Sequence, residues 1–162
     1  MTESEICNEA ARLEEDVLYA EKQHFSMATV WSAMHFLLGL PSAVLAAFAG
    51  VKAISAEPQT AAALAIASAA LTAILTFLDP GKKAALHHNA GVLYSGIRGR
   101  IRRFRLLDVP GVTDTGKNRA ALEEMATEKS KLMQSSPHIG GLAYALAKRS
   151  IEQGQHKHVA DS

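Results

Sequence analysis

Residues 25–51 read FSMATVWSAMHFLLGLPSAVLAAFAGV, and none of them is Asp, Glu, Lys or Arg. A second charge-free stretch, TAAALAIASAALTAILTFL, occupies residues 60–78. A helix that crosses a bilayer needs about 20 mostly apolar residues, and the two stretches contain 27 and 19 residues. The polar connection at residues 52–59 is short enough to force the two helices into an antiparallel hairpin. The sequence therefore predicts a two-span transmembrane helical hairpin whose longer helix must tilt, bend or protrude.

The alternative for these stretches is a pair of buried helices in a soluble bundle, because the second stretch is largely alanine. A soluble helix normally carries a polar face, and neither stretch has a charge on any face, which favours the membrane. The composition excludes other classes of protein. With 48% hydrophobic residues the chain is not disordered, and a net charge of +1 excludes a globally basic binder of nucleic-acid polymers.

The positive charges around the second stretch predict its orientation. The hairpin connection carries only Lys52, whereas seven basic residues and no acid lie between Pro80 and Leu107. Positive charge favours the cytoplasmic side, so both termini are predicted to be cytoplasmic. The predicted organisation is a cytosolic acidic helix at 1–24, the transmembrane hairpin at 25–79 with spans at about 25–51 and 60–78, a cytosolic helical region at 80–153 and a disordered tail at 154–162.

Apolar periodicity predicts helices outside the hairpin. Residues 5–24 repeat apolar side chains at three- and four-residue steps, which is typical of an amphipathic helix. Asp79-Pro80 is a helix start signal, and the apolar stripe after it consists of Leu86, Ala90, Leu93, Ile97, Ile101 and Phe104. Residues 108–116 are predicted to form a loop, and two more helices are predicted at 118–134 and 139–151. The predicted fold class is all-α, with flanking cytosolic amphipathic helices and an oligomeric assembly.

The helix predicted after Pro80 is basic and contains three glycines. Gly91, Gly96 and Gly99 each cost about 1 kcal/mol of helix propensity relative to alanine, which predicts close approach by another helix. Its arginines either anchor the chain at anionic lipid headgroups, pair with the acidic leading helix of the same or another copy, or bind an anionic nucleotide. The candidates for lipid, anion or interhelix charge contacts are Arg98, Arg100, Arg102, Arg103, Arg105, Glu14 and Glu15.

Small and hydroxyl-bearing residues recur along both predicted spans at three- or four-residue steps and therefore share helix faces. They either line a pore, which requires several copies in a ring, or hydrogen-bond between packed helices. An ionisable residue such as His35 tends to face an aqueous cavity. The predicted pore-lining residues are Thr29, Ser32, His35, Gly39, Ser42, Ser68, Thr72 and Thr76. The predicted helix-packing residues are Ala46, Gly50, Ala61, Ala65, Ala69 and Ala73.

The sequence contains no recognisable catalytic constellation. It has no Walker loop, no GxSxG and no HExxH motif. The single cysteine, Cys7, excludes an internal disulfide framework and a four-cysteine zinc site. His87 and His88 are adjacent, so on a helix they point to different sides and do not chelate one metal together. No enzymatic activity, cofactor or metal is predicted.

Short motifs along the chain resemble those of one family. They are Lys22-Gln23-His24-Phe25, Gly39-Leu40-Pro41-Ser42, Thr76-Phe77-Leu78-Asp79-Pro80, Ala84-Ala85-Leu86-His87-His88-Asn89-Ala90-Gly91 with Tyr94 after it, and Ser135-Ser136-Pro137-His138-Ile139. Over roughly residues 10–152 this order resembles the SLATT family, two-transmembrane effector domains associated with bacterial nucleotide-signalling systems.

The resemblance implies a pore-forming effector of bacterial immunity in the inner membrane. In such a homo-oligomer a nucleotide second messenger or stress signal triggers membrane permeabilisation, and the infected cell dies or arrests. The implied partners are membrane lipids and a separate nucleotide-sensing or signal-generating protein. Two other classes stay open. One is a non-conducting membrane-anchored scaffold whose cytosolic helices bind a signalling partner, and the other is a holin-like or channel accessory protein.

Overall fold

The structure is a computed structural model that describes residues 2–111 and 114–153. Within these ranges all regular secondary structure is helical, which confirms the predicted all-α class. The helices are α1 (Glu3–Ile54), α2 (Pro58–Leu78), α3 (Pro80–Arg103), a π-helical turn (Phe104–Asp108), α4 (Val109–Gly111), α5 (Thr115–Ser135) and α6 (Gly141–Glu152). The tail predicted to be disordered, 154–162, lies outside the described residues.

The chain divides into two compact units. Residues Ala28–Ala85 form one of them, which we call the hairpin unit. The described residues of Met1–Met27 and Leu86–Ser162 form the other, which we call the core unit. Two helices pass from one unit into the other, since α1 continues through Met27 and α3 continues through Leu86.

The hairpin unit is built by two helix breaks. At the first, Ala56 takes a left-handed conformation (φ 56°) between α1 and α2, and Pro58 begins α2 where the fixed φ of proline suits a helix N-terminus. At the second, Asp79 ends α2 with φ 42°. The Asp79 carboxylate then accepts a hydrogen bond from the backbone N–H of Lys82 (3.3 Å). The helix start predicted at Asp79-Pro80 is therefore confirmed.

Contacts along the hairpin unit fix the register of α1 against α2 and α3. A Cβ on Gly39 would lie 3.8 Å from Leu75, and a Cβ on Gly81 would lie 3.5 Å from the His35 ring. Lys83 Nζ lies 4.4 Å from the centroid of the Trp31 ring. Because His35 is level with Gly81, residues 36–54 of α1 lie alongside the charge-free residues of α2. The excess length of the first stretch therefore protrudes beside α3.

The hairpin helices expose their apolar side chains. One segment in α1 and one in the run from Pro58 to Asp108 are long and apolar enough to cross a membrane, and these segments are only 6% and 11% buried. The exposed large side chains include Phe36, Leu37, Leu40, Phe48, Ile54, Ile66 and Phe77. Within one chain the two apolar stretches are therefore not the buried core of a bundle.

The core unit has its own hydrophobic centre, formed by α1, α3, the π-helical turn, α4 and α5. On α1 the predicted stripe of Ile6, Ala10, Leu13, Val17 and Ala20 is confirmed, because the first four are buried and Ala20 is partly buried against them. On α3 the prediction was wrong at two positions. Leu86 and Leu93 are about half exposed, while His87 and Tyr94 are buried in their place. The other four residues of the predicted stripe, Ala90, Ile97, Ile101 and Phe104, are buried as predicted.

Where the loop was predicted at 108–116, residues 108–111 and 115–116 are helical, and residues 112–113 lie outside the described residues. The chain continues from α3 through the π-helical turn into α4, and α5 begins at Thr115. Val109 is 1% exposed and belongs to the hydrophobic centre, which holds this segment against the unit.

Candidate functional site

A cluster of three hydroxyls joins the two hairpin helices. Ser42 Oγ lies 2.7 Å from Thr72 Oγ1 and 3.3 Å from Ser68 Oγ. Ser68 donates its own hydroxyl to the carbonyl of Ser42 (2.8 Å). Ser42 and Ser68 are buried in the hairpin unit. These three predicted pore-lining residues therefore hydrogen-bond between packed helices of one chain, which is the alternative role that the sequence left open.

The other predicted pore-lining residues lie at two levels of the hairpin unit. Thr29, Ser32 and His35 are exposed on the part of α1 that protrudes beside α3. Gly39 lies next to Leu75 at the end of the apolar segment. Thr76 is exposed, and its hydroxyl donates to the carbonyl of Thr72 in the same helix (2.9 Å). Only Ser42, Ser68 and Thr72 are brought together.

Most of the predicted helix-packing residues lie outside the contact between α1 and α2. Ala46, Gly50, Ala65, Ala69 and Ala73 are exposed, and only Ala61 is partly buried. The hairpin contact is made instead by Ser42, Ser68 and Thr72, and by Leu75 beside Gly39. The small-residue faces are left on the outer surface of the hairpin unit.

Charge pairing joins the acidic part of α1 to the basic part of the core unit. Arg105 donates two hydrogen bonds to the Glu14 carboxylate (3.0 and 3.1 Å), and Arg98 pairs with Glu21 at 3.2 Å. Lys129 on α5 pairs with Asp16 at 2.6 Å. Of the roles open for the basic helix, pairing within one chain is the one these residues show. Glu21, which was not among the predicted residues, is the most buried of these acids.

The other charged residues predicted to contact lipid, an anion or another helix do not take part in these pairs with Glu14, Asp16 and Glu21. Arg100 pairs with Glu128 of α5, and Arg100 and Arg103 line a cavity of about 380 Å³ beside Phe104. Arg102 is partly buried, and Glu15 is exposed on α1 one residue after Glu14. Arg103 and Glu15 are therefore the members of the set best placed to meet an external partner.

Sequence reasoning missed a buried pair of imidazoles. Nδ1 of His24 on α1 lies 3.1 Å from Nδ1 of His87 on α3, and both rings are buried. The Tyr94 ring stacks on His24 with 5.4 Å between ring centroids. His88 lies on the exposed side of α3, against the edge of Phe25. The prediction that His87 and His88 point to different sides is confirmed.

Three of the five motif segments that carry the family resemblance lie together beside this pair. A cavity of about 290 Å³ is lined by His24, Tyr94, Met133, Ser136, Pro137, His138 and Ile139. It therefore combines residues from three of the quoted motif segments, which are far apart in the sequence. A Cβ on Gly91 would lie 2.9 Å from the Phe25 ring, so this glycine permits the close approach of α1 and α3. No such neighbour exists at Gly96 or Gly99.

Burial controls the protonation of these groups. Desolvation, with the adjacent His87 as a second cause, lowers the pKa of His24 from 6.5 to about 4. Desolvation also lowers the pKa of His87 and raises that of Tyr94. The two imidazoles are therefore neutral near pH 7, where one ring donates an N–H to the other.

One signal in the sequence pointed to the pair. Counting in helical steps from the buried Val17 leads to Glu21 and His24, and counting back from Ile97 leads to Tyr94 and His87. These positions continue the buried faces, but their residue types are polar. A search for apolar residues alone passes over them.

Comparisons with known proteins add no assignment. No family model, no curated protein and no solved structure matches the chain. Among the described residues, no group of three or more His, Cys, Asp or Glu side chains is arranged to hold a metal ion. The proposals below therefore rest on the chain itself.

Proposed function

We propose that this protein is a non-enzymatic, homo-oligomeric pore-forming effector of the bacterial inner membrane. In this proposal it permeabilises the membrane in a nucleotide-signalling or anti-phage defence system, and the cell dies or arrests. The observation that carries the proposal is the exposure of the apolar hairpin, whose two membrane-length segments are 6% and 11% buried. Exposing so much apolar surface to water is unfavourable, and a bilayer removes that cost.

The orientation with both termini in the cytoplasm agrees with the charges of the hairpin turn. Lys52 is the only basic residue there, and its Nζ lies 2.8 Å from the Glu57 carboxylate. The pair leaves the turn without net charge, which eases its transfer across the bilayer. Lys83 is at the opposite end of the hairpin over the Trp31 ring, and both residue types are favoured at a membrane interface.

Conduction requires several copies, because two helices cannot enclose water. The exposed faces of small residues suit contacts between copies, since small side chains let helices approach closely within lipid. On α2, Ala65, Ala69 and Thr76 share one exposed face. The hydroxyls of Ser42 and Ser68 are already hydrogen-bonded within one hairpin. We therefore expect the pore wall to be formed by the helix face that carries Thr76 and not by the hydroxyl cluster.

The second candidate function is a non-conducting membrane-anchored scaffold. The closed hydroxyl cluster favours it, because the polar groups at membrane depth are already satisfied inside one chain. The core unit also exposes apolar side chains suited to a protein partner, namely Val92, Leu93, Leu106 and Leu107.

Conductance of the purified full chain in planar bilayers, together with its mass in detergent, tests the proposal. We expect an oligomer that conducts, and we expect Ala69→Leu to reduce both oligomer and current. Ala67→Leu is the matched control, because Ala67 is also exposed but lies on another face of α2. A monomeric wild type without current would overturn the effector proposal, and a stable oligomer without current would favour the scaffold.

A further inference from the structure

The buried imidazole pair lies where both connecting helices leave the core unit. His24 precedes the last residue of the first core-unit segment, Met27, by three positions. His87 is the second residue of the other segment, which begins at Leu86. The pair therefore holds together the only two backbone connections between the core unit and the hairpin unit.

The chemistry of the contact depends on the pair being neutral. Two nitrogens 3.1 Å apart form a hydrogen bond only if one carries a proton and the other offers a lone pair. When both rings are protonated, both nitrogens are donors, and two positive charges face each other in a buried site. Nε2 of His24 is buried without a hydrogen-bond partner, so no acceptor is in place to stabilise the charged ring.

The surrounding groups do not offer a compensating negative charge. Within four residues of His24, His87 and Tyr94 along their helices, and in the segment 133–139 that borders the cavity, the titratable and charged groups are Glu21 and Lys22 on α1, Lys83, His88, Tyr94 and Arg98 on α3, and His138 between α5 and α6. Glu21 is the only acid among them, and it pairs with Arg98. Farther along α1, Asp16 pairs with Lys129 of α5.

The packing differs on the two sides of the pair, and only one side has room for the helices to move. On one side Phe25 is in tight contact with Gly91, so α1 and α3 cannot move closer together there. On the other side His24 borders the cavity of about 290 Å³. Separation of the helices toward this cavity would admit water to the charged rings.

We propose that the His24–His87 pair is a proton-sensitive latch that fastens α1 to α3 at this end of the core unit and releases them on acidification. The latch adds a regulatory input that the proposed function does not include. It concerns the core unit alone and stands whether or not the hairpin conducts.

The direction in which pH changes the opening equilibrium follows from proton linkage. The pKa of His24 is about 4 in the closed unit, while an opened, hydrated imidazole titrates near 6.5. The open form therefore binds more protons in this interval, so opening becomes more favourable as the pH falls from about 6.5 toward 4. For His24 alone, the opening equilibrium rises about 30-fold between pH 7.5 and pH 5.

Hydrogen–deuterium exchange of the full chain in detergent tests the latch. After correction for intrinsic exchange rates, we expect the peptides that cover residues 20–27 and 86–94 to open about 30-fold more at pH 5 than at pH 7.5. A peptide from the middle of α5 is the internal reference. His24→Gln should make the change several-fold smaller, whereas His88→Gln, the exposed neighbour of the pair, should leave it as in the wild type.

Equal opening in the wild type and His24→Gln, or no opening in the wild type, would overturn the latch. If His24→Gln fails to fold, carbon NMR of the wild-type histidine rings decides the question. A buried ring that titrates well below 6.5 supports the latch, and titration of all seven histidine rings of the chain near 6.5 refutes it.

Discussion

Ser42 Oγ on α1 lies 2.7 Å from Thr72 Oγ1 on α2. Together with the hydrogen bond that Ser68 donates to the Ser42 carbonyl, this contact makes the centre of the hairpin polar on its inside and apolar on its outside. Interhelical hydrogen bonds within lipid contribute roughly 0.6 kcal/mol each on average. The cluster therefore stabilises the hairpin modestly while fixing its register.

Ser42→Ala is expected to destabilise the hairpin by about 1 kcal/mol, because it removes one member of the interhelical cluster. Thr76→Ala is the matched control, since the Thr76 hydroxyl bonds only within its own helix. Unfolding of both variants in mixed micelles measures the difference. Equal stability of the two variants would show that the cluster does not hold the helices together.

Glu14→Lys is expected to destabilise the core unit by about 1–2 kcal/mol, because it replaces the partner of Arg105 with a like charge at a partly buried site. Glu15→Lys makes the same charge change one residue later at an exposed position and should leave stability nearly unchanged. Thermal unfolding followed by circular dichroism compares them. If Glu15→Lys were more destabilising than Glu14→Lys, the exposed face of α1 would contribute more to stability than the pair of Glu14 with Arg105.

Replacing the three glycines of α3 with alanine is expected to change stability in two different directions. Gly91→Ala should destabilise the protein, because its Cβ would lie 2.9 Å from the Phe25 ring. Gly96→Ala and Gly99→Ala meet no neighbour within 4 Å and should each stabilise the helix by roughly 0.5–1 kcal/mol. Melting temperatures of the three variants at one pH are the measurement. A stabilising Gly91→Ala would mean that α1 and α3 are not in close contact.

His24→Phe is expected to destabilise the protein less at pH 5 than at pH 7.5. At pH 7.5 it should destabilise the protein, because it leaves His87 buried without its partner. At pH 5 the wild type has lost roughly 2 kcal/mol through the lowered pKa of His24, and phenylalanine does not titrate. The difference in unfolding free energy between variant and wild type should therefore shrink or reverse on acidification, and a constant difference would contradict the pKa shift.

Labelling of a single cysteine in the hairpin turn tests the orientation. Ser55→Cys, in a Cys7→Ala background that removes the only native thiol, should react with a membrane-impermeant maleimide added to whole cells. The reason is that the basic residues of α3 favour the cytoplasmic side. A cysteine at Gln134 is the control and should react only after lysis. Reaction at Gln134 but not at Ser55 in intact cells would reverse the orientation.

Much of the fold could be predicted from where charged residues are absent. A run without charge excludes a polar helix face, so the two apolar helices and the turn between them follow from composition and length. The register could not be predicted, because small residues recur on more than one face of each helix. Which face turns inward depends on how Ser42 meets Ser68 in three dimensions.

The candidate sites were harder to predict than the helices. Acidic and basic helices in one chain suggested pairing, but the actual partners, such as Arg105 with Glu14, depend on the path of the π-helical turn. His87 and Tyr94 are buried where Leu86 and Leu93 were expected. Periodicity ranks positions by hydrophobicity, whereas His24 provides a hydrogen-bond and stacking partner that makes an imidazole and a phenol favourable there.

The register of the hairpin has a consequence for the lipid around it. Because residues 36–51 lie beside residues 60–78, the two helices present charge-free lengths of 16 and 19 residues there, and the longer of these measures about 28 Å at 1.5 Å per residue. That length is slightly below the thickness of a typical hydrocarbon core, about 30 Å, so neither helix has length to spare for tilting. The hairpin is therefore matched to bilayers of short or unsaturated acyl chains, and a thicker bilayer would have to thin around it.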